Sequence, residues 1–130
     1  MTSRRSPTQL GSPPWLSIET SVSADRHLAS VWVDGELDRD SAGELLQVFR
    51  TALTDTGPQT IEVDLSAVTF IDAAGIRSLV TCRQLAEETG GTLHLKNPRP
   101  QARFVLGIAE LSEVFGLPAT PGEKGGSRRR

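Results

Sequence analysis

"TFIDAAGIRSLV", Thr69–Val80, is the stretch on which the fold turns. β-Branched and aromatic residues run up to Ile71. An acid, two alanines and a glycine follow at Asp72, Ala73, Ala74 and Gly75, and a helical spacing begins at once. Asp72 stands where an N-cap belongs: its carboxylate can accept a first-turn N–H, and the helix dipole favours its charge. Gly75 is harder to place, because a glycine inside a helix costs about 1 kcal/mol relative to alanine. Its presence calls for tight packing or for an external body that must come close. With Ala73 and Ala74 it makes a side-chain-poor helix entrance, suited to a protein partner's backbone or a small anion.

Outward from this point the hydrophobic periods alternate. Leu16, Ile18 and Val22 mark one face of a first strand, and Leu28–Leu37 a second, with the intervening "SADRH" as the turn of a hairpin. Leu45, Val48, Phe49, Ala52 and Leu53 form one helix face. Ser41 and Glu44 have capping-box spacing at its start, and Gly57-Pro58 ends it. "TIEVDL" turns Ile61, Val63 and Leu65 inward. The helix after Asp72 uses Ile76, Leu79, Val80 and Ala86 and stops at Gly90-Gly91. "TLHLK" is a fourth strand, and Pro98–Ala109 a third helix with Ala102, Val105, Leu106 and Ala109 as its stripe.

The order is β-β-α-β-α-β-α. Right-handed crossovers between parallel strands place consecutive helices on one face. The expected fold is α/β: a small mixed sheet with helices packed mainly on one side. Sites in such sheets gather at the carboxyl ends of the strands. Two segments lie there: Val33–Asp38, with Asp34, Gly35 and Asp38, and the opening stretch.

A chain of 130 residues suits one domain. Residues 1–14 and 118–130 are Ser/Pro- and Gly/Arg-rich and read as disordered tails around a domain at 15–117. The tails carry +2 and +3 of a total of −2, so residues 15–117 carry −7. An acidic body disfavours direct nucleic-acid binding and favours a basic protein surface. The single cysteine, Cys82, excludes an intrachain disulfide and reads as buried packing. No secretory h-region or membrane-length apolar run is present, which gives the expectation of a cytoplasmic protein without membrane insertion. His27 and His94 lie in different elements, and neither a nucleophile elbow nor a dinucleotide or phosphate-binding loop occurs. The expectation is therefore a binding module: no catalytic residues, no metal, no cofactor.

"DLSAVTFIDAAGIRSLV" resembles the signature of the STAS domain of bacterial anti-sigma factor antagonists, in which an apolar strand leads through Asp-Ser-Ser/Ala-Gly-Leu/Ile into a helix. "VDGELDRDSAGELL" resembles the family's Gly-x-Leu-Asp segment, and "GGTLHLKNPRPQARFVLGIAEL" its Gly-Gly-x-Leu strand and following helix. The resemblance implies partner switching. The unmodified domain docks an anti-sigma factor that is a serine kinase of the histidine-kinase-like ATPase fold, and phosphorylation just after the motif's Asp breaks the complex. Here that phosphoacceptor position is Ala73, which has no hydroxyl. Asp72, Ala73, Ala74, Gly75, Ile76 and Arg77, extended by Asp34, Gly35 and Asp38, are the expected partner-binding residues, and a homodimer is compatible with this reading. The alternative is an unphosphorylated scaffold subunit of a larger signalling assembly, or a STAS accessory subunit of a lipid transporter. Glu110, where many relatives have Gly, bears only on the end of the third helix.

Overall fold

The computed structural model describes residues 6–7, 16–25, 27–53 and 60–118. In chain order the elements are β1 (Ser6–Pro7), β2 (Leu16–Val22), β3 (Leu28–Leu37), α1 (Ala42–Leu53), β4 (Thr60–Ile71), α2 (Ala73–Glu88), β5 (Thr92–Lys96) and α3 (Pro100–Ile108). The sheet runs β1-β2-β3-β4-β5 in space. β2 and β3 pair antiparallel, whereas β3–β4 and β4–β5 are parallel. This is the expected four-strand mixed sheet, with one short addition. Ser6 and Pro7 lie inside the segment read as a disordered tail, yet they pair with Thr20 and Glu19. Proline lacks the N–H a central strand needs, so it is tolerated at such an edge. The remainder of that tail, and residues 119–130, lie outside the described residues.

The pleat sorts side chains into two faces. Ile18, Val31, Val33, Ile61, Val63, Leu93 and Leu95 alternate inward and are buried, together with Leu45, Val48, Phe49, Leu79 and Ala86 from the helices. α1 packs on α2, and this pair meets β2, β4 and β5. The other face carries Glu19, Trp32, Glu62, Asp64, His94 and Lys96 in register across the strands. Cys82 is buried in the core, and that burial pushes its thiol up to about 12, so it stays protonated and unreactive at neutral pH.

Three boundaries differ from expectation. The Ser41 hydroxyl turns back into the loop before α1, donating to Glu36 O at 2.7 Å and accepting from the Asp38 N–H at 2.9 Å. Asp38 Oδ1 in turn accepts from the Asp40 and Ser41 N–H groups. A local Asx-type closure therefore takes the hydroxyl that capping-box spacing had assigned to Glu44. The third helix starts at Pro100, not Pro98, because the residue before a proline is driven to extended backbone; Arg99 sits there at φ −73, ψ 166. Its far end is exposed, so Ala109 leaves the buried stripe and Gly107 joins Ala102 and Leu106. The Gly57-Pro58 stop, and the side chains of Ala52 and Leu53, lie outside the described residues.

The ends of α2 and α3 make a matched comparison. After α2, Gly90 has φ 86, the Gly90 N–H donates to Glu87 O, and the Gly91 N–H donates to Ala86 O. After α3, Glu110 has φ 61, its N–H donates to Gly107 O, and the Leu111 N–H donates to Leu106 O. Both are Schellman ends, but only one has the residue that adopts a left-handed backbone without steric cost. Beyond α3 the turn at 111–117 folds back on the sheet, and the Leu95 N–H of β5 donates to Phe115 O at 2.9 Å. Replacing Glu110 by Gly should stabilise the protein by about 1 kcal/mol and raise the thermal midpoint by a few degrees in a calorimetric scan.

Candidate functional site

β3 and β4 are parallel neighbours, and their carboxyl ends finish level, with Glu36 opposite Phe70 and Leu37 opposite Ile71. The two loops that leave them must therefore adjoin. Asp72 joins these loops. Its N–H donates to Leu37 O at 3.3 Å. Its Oδ1 accepts from the Gly75 N–H at 2.9 Å, capping α2 from an extended backbone, and its Oδ2 accepts from the Arg39 N–H at 3.3 Å. The expected N-cap is present, and the same carboxylate also ties the β3–α1 loop to the first turn of α2.

Gly75 owes its place in the helix to packing. It is buried, and a Cβ built on it would be driven into the Leu37 carbonyl oxygen and would lie 2.7 Å from Ile71 Cγ1. The requirement is internal: α2 starts against the end of β3. Ile76 is likewise buried, at 6 % exposure. These two expected contact residues therefore support the surface from beneath.

On the outside, Asp38, Asp72, Ala73, Ala74 and Arg77 line one open hollow of about 440 Å³ together with Arg39, Asp40 and Phe70. Asp34 and Gly35 are not among its walls. Asp34 lies in register with Ser17 and Ala67, and Gly35 sits within the irregular part of the β3–β4 ladder at φ 118. Phe70 is 41 % exposed and stands beside the alanines. Phe70 and Arg39 both lie inside the stretches that the sequence reading followed, but neither was named as a contact residue.

A further positioning residue was also missed. β5 pairs with β4 only as far as Asp64–Lys96, which leaves the rest of β4 without a strand on that side. Gln101 of α3 takes the strand's place at the end: the Ile71 N–H donates to its Oε1, and its Nε2 donates to Ile71 O, both at 2.9 Å. Arg99 Nη1 donates to Ser66 O at 3.2 Å on the same edge. The signal lay in the strand lengths, since twelve residues of β4 cannot be paired by five of β5.

Away from the hollow, Asp64 is held below the usual carboxylate range. Burial alone would raise it, but hydrogen bonds from the Ser66 hydroxyl and N–H and from the Asn97 amide outweigh that effect. Among the described residues no group of three or more His, Cys, Asp or Glu side chains is placed to hold a metal ion, and no helix is long and apolar enough to cross a membrane.

The family model described as "Mlab, STAS domain" matches residues 20–117. The STAS-domain containing protein PA14_20770 of Pseudomonas aeruginosa (strain UCBPP-PA14) is 24% identical over 103 residues, spanning 78% of this chain and 99% of that protein. Among solved structures, an anti-sigma factor antagonist from Mycobacterium paratuberculosis is 30% identical with a TM-score of 0.62, covering 85% of this chain and 92% of that one. The anti-sigma factor antagonist SpoIIAA in its unphosphorylated form is 18% identical with a TM-score of 0.60, covering 94% and 92%. At that identity the likeness is one of fold.

The Gly75 contact yields a direct stability test. Gly75→Ala adds a methyl where the Leu37 carbonyl stands, and should destabilise the protein by about 1–3 kcal/mol despite alanine's better helix propensity. Urea unfolding would show it as a lower midpoint at unchanged slope.

Proposed function

The chain belongs to the STAS domain family, and on that premise we propose that it is an anti-sigma factor antagonist whose docking surface is intact and whose usual phospho-switch is missing. The partner in this reading is an anti-sigma factor of the histidine-kinase-like ATPase fold. It docks on the hollow at the start of α2, where Asp72, Ala73, Ala74 and Arg77 meet Asp38 of the neighbouring loop. The chain supplies a binding surface and no chemistry of its own.

The observation that carries the reading is the state of position 73. Ala73 is exposed at the first residue of α2, directly after the capping Asp72, and it has no hydroxyl. In this reading the nearby hydroxyls do not take its place, since none stands directly after Asp72. Ser78 is 3% exposed and donates to Gly75 O at 2.7 Å. Thr69 donates to Gly35 O, and Ser66 donates to Asp64. A phosphate at position 73 would add nearly two negative charges beside Asp72, which the helix N-terminus tolerates and a complementary partner surface does not. Without that event the complex persists in ATP, and the protein acts through its amount. The likeness to an antagonist of 30% identity supports the same role.

Affinity capture from the source cell with mass spectrometry tests the partner. An anti-sigma factor among the captured proteins is the expected result; recovery of lipid-transporter components instead would overturn it in favour of an accessory subunit. The switch is tested by restoring the hydroxyl. Ala73→Ser changes little in volume at a position where serine is tolerated. Incubated with the captured kinase and ATP, the variant should gain one phosphate by intact mass and lose affinity, while the wild type stays unmodified and bound. Phosphate on the wild-type chain at another residue, with release of the partner, would refute the missing switch.

A further inference from the structure

We propose that Gln101, which lines no part of the hollow, is the residue that positions it, by gripping the strand end that carries two of its walls. This deepens the docking reading above and rests on it. Asn97, Arg99 and Gln101 alternate with Pro98 and Pro100. A proline has no N–H, so the chain after β5 has no main-chain donor to offer β4 at either position. Side chains reach across instead. Asn97 Nδ2 donates to Asp64 Oδ2 at 3.0 Å, and Arg99 Nη1 donates to Ser66 O at 3.2 Å. The Gln101 amide then bonds both main-chain groups of Ile71 at 2.9 Å.

The last of these contacts bears on the hollow. Ile71 stands between Phe70 and Asp72, which both line it. The Ile71 N–H belongs to the peptide unit shared with Phe70, and the Ile71 C=O to the unit shared with Asp72. Peptide units are planar, so a side chain that holds both groups fixes the planes on which Phe70 and Asp72 are mounted. On the other flank the Asp72 N–H donates to Leu37 O. Glutamine carries at one planar end the donor and the acceptor that this grip requires. A glutamate of the same shape has two acceptors when ionised and regains a donor only when protonated.

The test uses the full chain and two variants. Gln101→Met removes both bonds at similar length. Hydrogen exchange followed by NMR should run roughly tenfold faster at the Ile71 amide, with little change at Val63, which is paired on both sides in the same strand. In Gln101→Glu the carboxylate faces the Ile71 carbonyl oxygen, which raises its folded-state pKa above the ordinary glutamate value of about 4.3. Compared with wild type at each pH, so that the other carboxylates cancel, its thermal midpoint should match below about pH 4 and fall behind as pH rises towards neutrality. The deficit of Gln101→Met should stay nearly constant over the same range. Purified anti-sigma factors of the source cell are the binding probe, and the one that binds wild type should bind both variants roughly fivefold more weakly at neutral pH. Equal acceleration at Ile71 and Val63, or a Gln101→Glu deficit that does not move with pH, would show that Gln101 only helps to pack α3, and the inference falls. Unchanged affinity in both variants also overturns it and leaves docking standing. If no factor binds wild type, the docking reading falls, and the exchange and pH results alone decide whether Gln101 holds the strand end.

Discussion

The start of α2 lies against the end of β3, and the site is built on that contact. It is possible only because residue 75 has no side chain: any Cβ there would occupy the space of the Leu37 carbonyl. Once the helix is seated so closely, the Asp72 carboxylate lies within reach of two segments that are far apart in sequence. It caps its own helix through Gly75 and holds the β3–α1 loop through Arg39. A glycine that costs helix stability in isolation thus permits two loops to be fixed by one side chain. The same contact keeps both walls of the hollow in their places.

The other wall is held from the opposite side. β4 continues past the end of β5, and its last residue would have an unsatisfied N–H and C=O there. The Gln101 amide answers both groups with the donor and acceptor pattern of a strand. The junction between β4 and α2 is thereby fixed on both flanks, by β3 on one and α3 on the other. A surface so constrained loses little conformational freedom when covered, which favours tight binding without new contacts.

The sequence was most informative where a period repeats. Alternation in β3 and in the first half of β4, and the stripe of α2, are properties of many residues at once, so single exceptions do not obscure them. The strand-to-helix handover at Asp72 was legible because a cap acts on its own first turn. Three kinds of feature were not. Ser41 and Glu44 had the spacing of a capping box, yet the hydroxyl was drawn into the preceding loop by Asp38 and Glu36. The strand at Ser6–Pro7 uses main chain only, and composition does not report main-chain pairing. Gln101 acts across thirty positions on a backbone group, and Gly75 is required by a carbonyl of a strand more than thirty residues earlier. Asp34 and Gly35 stand apart from the hollow for a related reason. Nearness to the end of β3 suggested them, but the walls are built from the loop residues beyond that end.

The two borders of the sheet have a consequence of another kind. One is covered by the short pairing of Ser6–Pro7, and on the other the Leu95 N–H is already taken by Phe115 of the returning turn. Open strand edges recruit other strands, and through them fibrils and unspecific aggregates. Both borders are thus partly taken, at Thr20 and Glu19 on one side and at Leu95 on the other, which leaves fewer open main-chain groups for another strand to pair with.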